Sequence, residues 1–163
     1  MKKLFLSTFA LFGFVLTFNA QNIADNAIGL RIGDNDGFGA EISYQRALGD
    51  NNRLEADLGW RSGKNHDGFK ITGLYQWVFP LEGDFNWYVG AGGGIASYSW
   101  DYVSEGVKMD DSETSIFVGG DIGIEYSFDF PLQLSLDLRP EIGFGDYNDD
   151  LDFDIALGIR YQF

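Results

Sequence analysis

The side chains in this sequence that could do chemistry are mostly charges, and they recur at even spacing. Arg31, Glu41, Glu55, Asp57, Arg61, Lys70, Asp121, Glu125, Asp137, Arg139, Glu141, Asp152, Asp154 and Arg160 each occupy alternate positions in stretches whose other positions are large and apolar. Charges gathered on one face of a low-dielectric space can pair, relay protons or hold ions, and unpaired ones carry a large desolvation cost. Acids outnumber bases in this set, so an interior built from it needs water, cations or protonated carboxylates beside its ion pairs. The expectation is a salt-bridged polar network that plugs an interior, in preference to an ion path.

A second candidate is nucleophilic. His66 is the only histidine, with Asp67 beside it and Ser62 upstream. Acyl transfer needs a base, a positioned nucleophile and an orienting acid. All three residues fall in one glycine-flanked loop expected over residues 62–68, which orients nothing rigidly, so no catalytic residue is assigned. The third candidate is a set of acids expected in loops: Asp101, Glu105, Asp110, Asp111 and Glu113, then Asp146, Asp149 and Asp150. Their oxygens suit Ca²⁺ or a divalent bridge to lipopolysaccharide, but the spacing matches no EF-hand. A solvated acidic rim is expected, with no resident metal and no cofactor. The glycines Gly90, Gly92 and Gly94 could line a cavity for an apolar ligand. They serve more simply to admit large neighbours such as Tyr88, Tyr98 and Phe117.

The elements that must position these residues are β-strands. In residues 151–163, Leu151, Phe153, Ile155, Leu157, Ile159, Tyr161 and Phe163 alternate with Asp152, Asp154, Ala156, Gly158, Arg160 and Gln162. A period of two puts one set on each face of a strand, and this length suits a tilted membrane-crossing strand. The same alternation appears over residues 27–33, 38–45, 54–61, 69–79, 85–97, 116–128 and 132–144, which makes eight strands. Tight polar turns are expected at 34–37, 48–52, 80–84 and 129–131, and the longest loop at 99–113. Pro140 lacks a ladder donor and marks a local irregularity in the seventh strand.

Length and composition agree with one all-β domain. The chain has 163 residues, 22 glycines, three prolines, 17% aromatic residues and no cysteine. A net charge of −14 leaves nothing to neutralise phosphates and excludes nucleic acid as a partner. Met1, Lys2 and Lys3 precede an apolar run over residues 4–18, as in a signal peptide for export by the Sec route. Cleavage is expected after Ala20, giving a signal peptide of 1–20 and a barrel domain of 21–163.

Eight alternating strands could also form a soluble barrel around a ligand. That arrangement would crowd Trp60, Phe69, Tyr75, Trp77, Phe79, Phe85 and Trp87 into one small interior. The inverted arrangement puts them against lipid and leaves glycines and charges inside. A base facing lipid at mid-membrane costs about 2–4 kcal/mol, and none of the apolar-face positions carries a charge. Aromatics cluster at strand ends, with Tyr44, Trp77, Phe79, Phe85, Trp87, Tyr126, Phe128, Tyr161 and Phe163 at one rim. Phe38, Trp60, Phe69, Phe144 and Phe153 gather at the other, as interfacial girdles do.

With its signal segment, eight dyad-repeat strands, short turns at one end and terminal Gly158-Ile159-Arg160-Tyr161-Gln162-Phe163, the chain resembles the small eight-stranded outer-membrane proteins. These are the OmpX/Ail and OmpA-barrel type of the porin-like superfamily. The resemblance implies an eight-stranded antiparallel up-and-down transmembrane β-barrel, monomeric, in a Gram-negative outer membrane. It implies lipid and lipopolysaccharide as surroundings, and periplasmic chaperones and the barrel-assembly machinery as partners in biogenesis. In that family an aromatic-ending last strand is the assembly signal, which falls here on Tyr161 and Phe163. The loops, short apart from 99–113, depart from the adhesin-like members and weaken any adhesion or invasion role carried over from them. The expected function is a non-catalytic barrel with a structural or surface-interaction role. The competing classes are a lipid-modifying enzyme and a narrow conductor or small-ligand carrier.

Overall fold

A computed structural model describes residues 23–33, 39–62, 66–104, 107–144 and 151–163, with His66 and residues 100–104 and 107–111 described by backbone alone. The expected signal peptide of residues 1–20, the expected turn at 34–37, Phe38, Glu105 and the acids Asp146, Asp149 and Asp150 lie outside the described residues. Eight strands close into one barrel in chain order. They are β1 Asn26–Gly33, β2 Ala40–Ala47, β3 Asn52–Ser62, β4 His66–Pro80, β5 Phe85–Ser104, β6 Val107–Ser127, β7 Leu132–Phe144 and β8 Leu151–Gln162. Every neighbouring pair is antiparallel, and β1 closes on β8 from Ala27↔Gln162 to Gly33↔Ala156. Closure leaves the wall without a free edge.

The period of two decides what each strand shows to each side. Outward positions carry exposed large apolar side chains, among them Leu157 at 62%, Ile116 at 60% and Trp60 at 58% relative exposure. Inward positions carry charges that are almost fully buried, as with Arg31 at 1% and Arg160 at 0%. A water-soluble domain would have the opposite distribution; an apolar belt around a polar lumen is the transmembrane form. At the end holding both termini the turns are short. They close through Leu48 N to Asn52 O at 2.8 Å, Leu81 N to Phe85 O at 2.8 Å and Phe128 N to Leu132 O at 3.0 Å. Gly83 takes φ +66° in one of them, a conformation that favours glycine.

Two expected loops are strands instead. Residues 99–113 were expected as the longest loop, yet β5 and β6 stay paired from Phe85↔Tyr126 out to Ser104↔Val107. β4 stops pairing with β5 at His66↔Trp100, and β7 stops pairing with β6 at Ile116↔Phe144. The outer part of this hairpin therefore stands beyond the wall. It reads as a loop in sequence because a strand leaving the membrane no longer needs one apolar face. Likewise only residues 63–65 of the expected loop at 62–68 lie between strands. Ser62 pairs in register with Asp67, and His66 opens β4.

Pro140 does interrupt a ladder. The β6–β7 register passes from Gly119↔Glu141 to Ile122↔Leu138 with no described pair between. A Cβ at Gly120 would sit 3.3 Å from Pro140 Cγ, a tight contact that glycine relieves. The glycines facing the lumen admit aromatic rings. A Cβ at Gly123 would overlap the Tyr88 phenol, and one at Gly94 would overlap both the Ile71 carbonyl oxygen and the Phe117 ring.

Candidate functional site: a charged lumen and its mouth

Inward positions of strands on opposite sides of an eight-stranded barrel are close enough for long side chains to meet. Four arginines tie the lumen together, and Arg139, Arg160 and Arg53 use that reach. Arg31 on β1 donates through Nε and Nη2 to Asp137 Oδ1 on β7, at 2.9 and 2.6 Å. Its Nη1 reaches Glu41 Oε2 at 3.0 Å and Asp154 Oδ2 at 2.5 Å. Arg139 on β7 crosses to β3, where Nη1 donates to Asp57 Oδ2 at 2.7 Å and Nη2 donates to Glu55. Arg160 on β8 binds Ser43 Oγ at 2.9 Å, Ser135 Oγ at 2.7 Å and Glu55 Oε1 at 3.0 Å. Glu55 thus holds two arginines with one carboxylate.

Arg53 makes the fourth tie, nearest the short turns. Its Nη1 lies 2.7 Å from Glu125 Oε2 and its Nε donates to Gln76 Oε1 at 2.6 Å. Its guanidinium stands 4.8 Å from the Tyr88 ring centre. Gln76 passes the network on, donating to Glu55 at 3.0 Å and to Asp121 at 2.5 Å. Gln45 donates to Glu55 at 2.6 Å and Asn86 to Glu125 at 3.2 Å. At the other end Lys70 Nζ bonds both oxygens of Glu141, at 2.9 and 2.8 Å, and lies 4.9 Å from the Phe117 ring centre.

The lumen holds more acid than base. Glu41, Glu55, Asp57, Asp121, Glu125, Asp137 and Asp154 are buried beside Arg31, Arg53, Arg139 and Arg160. One oxygen each of Glu41, Asp57, Asp121, Asp137 and Asp154 lacks a protein hydrogen-bond partner, and buried polar atoms of this kind are normally satisfied by solvent. Among the described residues, no three His, Cys, Asp or Glu side chains are arranged to hold a metal ion.

Two residues expected in the network lie outside it. Arg61 and Asp152 share the inward parity but are exposed at the far end, because their strands outlast the buried layer and that parity faces water at the mouth. Glu141 is half-buried there. Arg53 went unrecognised because the turn was expected to run up to it. Its parity with Glu55 and Asp57 was the available signal. The neutral groups Ser43, Gln45, Thr72, Gln76, Asn86, Gln133 and Ser135, all buried, share the inward parity but were not expected in the network.

A closed eight-stranded antiparallel barrel with a lipid-compatible outside and a charged inside has the fold of the small outer-membrane β-barrel proteins. Solved structures that share it include the following three. The N-terminal β-barrel domain of Pseudomonas aeruginosa OprF superposes with a TM-score of 0.58 at 18% identity, over 89% of this chain and all of that one. Neisserial surface protein A gives 0.59 at 18% identity, over 86% of this chain and 94% of that one. Ail, the attachment invasion locus protein of Yersinia pestis, gives 0.52 at 17% identity, over 85% and 96%. No protein-family model matches the chain, and no curated protein matches it.

Proposed function

We propose that this chain is a monomeric, non-catalytic barrel of a Gram-negative outer membrane, surrounded by lipid and lipopolysaccharide. Its working part is the β5–β6 hairpin. The observation that carries this reading is the ladder that β5 and β6 continue alone, past Trp100 on one side and Ile116 on the other. Among the described residues, nothing but β5 pairs with residues 107–115 of β6. At about 3.3 Å per residue they offer roughly 30 Å of strand edge. That edge carries Asp110, Asp111 and Glu113 against one Lys108, so the partner it suits is an extended, basic segment that adds as a strand. The likeness to Ail and to Neisserial surface protein A is consistent with a surface role. Tyr161 and Phe163, both exposed at the near rim, serve in this reading as the assembly signal met by periplasmic chaperones and the assembly machinery.

The test replaces residues 101–110 with Asn-Gly, which closes the ladder at Trp100↔Asp111 with a two-residue turn. Full-length and trimmed proteins, both folded in lipid nanodiscs, are titrated with an alternating Lys/Val peptide and an alternating Glu/Val peptide. The full-length protein should bind the basic peptide at least about tenfold more tightly than the trimmed one does, and neither should bind the acidic peptide. Equal binding by the two proteins would refute the hairpin's role.

A further inference from the structure

Above the buried network lies a pocket of about 50 Å³. Lys70, Ala96 and Ser115 stand level across β4, β5 and β6, while Phe117 pairs with Gly143 and Glu141 with Asp152 on the strands that follow. All share the inward parity, and together with Tyr98 they line the space. Among the lining residues, two carboxylates, Glu141 and Asp152, stand against one ammonium, Lys70. Glu141 and Asp152 are directly opposite on neighbouring strands, where like charges repel. Lys70 spends its ammonium on Glu141 through both carboxylate oxygens. Among the described residues, no cationic side chain lies within ion-pair distance of Asp152.

We propose that this mouth pocket binds a small primary ammonium group. Such a group has three donors that require acceptors and a charge that an aromatic face attracts. Asp152, Ser115 and Phe117, which line the pocket, bring a carboxylate, a hydroxyl and an aromatic ring of this kind. It already holds one ammonium: Lys70 Nζ sits 4.9 Å from the Phe117 ring centre and 2.8 Å from Glu141. The protein's own lysine acts there as a tethered copy of the ligand. A divalent metal fits poorly, since it takes six or more oxygens and no adequate ligand group occurs among the described residues. An anion would meet two carboxylates and a lysine already engaged.

The experiment titrates the full chain in lipid nanodiscs with ethylammonium chloride, with sodium chloride and with sodium phosphate, following binding by calorimetry. Wild type should saturate with ethylammonium and not with the sodium salts. Asp152→Asn should weaken that binding about tenfold, the worth of one charge-assisted contact. Lys70→Met should strengthen it by vacating the ring face and Glu141. Heat-dependent gel mobility checks that both variants are folded, and if Lys70→Met is not, the exposed Asp152 position decides alone. The proposal is overturned if ethylammonium does not saturate, if Asp152→Asn leaves it unchanged, or if phosphate binds and Lys70→Met abolishes that binding.

Discussion

Arg139 is the side chain on which the largest number of lumen carboxylates converge. Besides Asp57 and Glu55, its guanidinium lies 3.7 Å from Asp121 and 3.8 Å from Glu41 and Asp137. A buried pair is weak evidence of net stability against an apolar replacement of the whole set, but removing one partner leaves uncompensated charge. Arg139→Met should therefore lower the unfolding free energy by about 3–5 kcal/mol, measured by guanidinium unfolding of the refolded protein in lipid. A loss under about 1 kcal/mol would mean that the neighbouring acids are neutralised by something other than Arg139. At this scale the sequence revealed which residue types turn inward, because parity alone decides that. Who pairs with whom was not legible. Arg31 meets Asp137 from more than a hundred residues away, a meeting fixed by the stagger of the closed sheet. Parity was also silent on depth, which is why Arg61 and Asp152 were grouped with side chains that are buried.

Among the elements, β5 combines two demands that pull its sequence in different directions. Inside the wall it must approach its neighbours closely. A Cβ at Gly94 would overlap the Ile71 carbonyl oxygen, whereas one at Gly49, in a near-end turn, would meet nothing within 4 Å. Gly94→Ala should accordingly reduce the folded, faster-migrating band in unboiled gel samples, and Gly49→Ala should leave it intact. Equal folded fractions would show that β5 can shift away from β4 at little cost. Outside the wall β5 needs no apolar face. There Ser99 and Asp101 of β5, and Lys108, Asp110 and Ser112 of its partner β6, replace the alternation that marks the inner halves of the two strands. The inner half was therefore readable as a strand, and the outer half read as a loop. Pro140 was readable for a different reason, since a residue without a donor forces an irregularity into any ladder it joins.

For the molecule as a whole, lipid outside and a narrow lumen inside leave one workable arrangement. That double constraint imposes the same alternation on all eight strands, so the fold was legible from sequence. The lumen's contents follow from strand number, which leaves room for side chains and little more. Ties between strands that are not neighbours cross it, among them Arg139 to β3, Arg160 to β3, Arg53 to β6, Gln76 to β6 and Lys70 to β7. Purified protein in planar bilayers should show no steady conductance above background at neutral pH. Sustained openings would mean that these ties exchange partners in the membrane.

The ladders around the wall are unequal in length, and the inequality has a mechanical meaning. β1 meets β8 only between Ala27↔Gln162 and Gly33↔Ala156, clasped at its end by the reciprocal bonds of Asn26 and Phe163 at 3.0 and 2.9 Å. β5 and β6 are joined from Phe85↔Tyr126 to Ser104↔Val107. A pull on the last residue would load this short join first and peel β8 from both neighbours. Tension would then travel round the wall, and the final, largest rupture would belong to the β5–β6 hairpin.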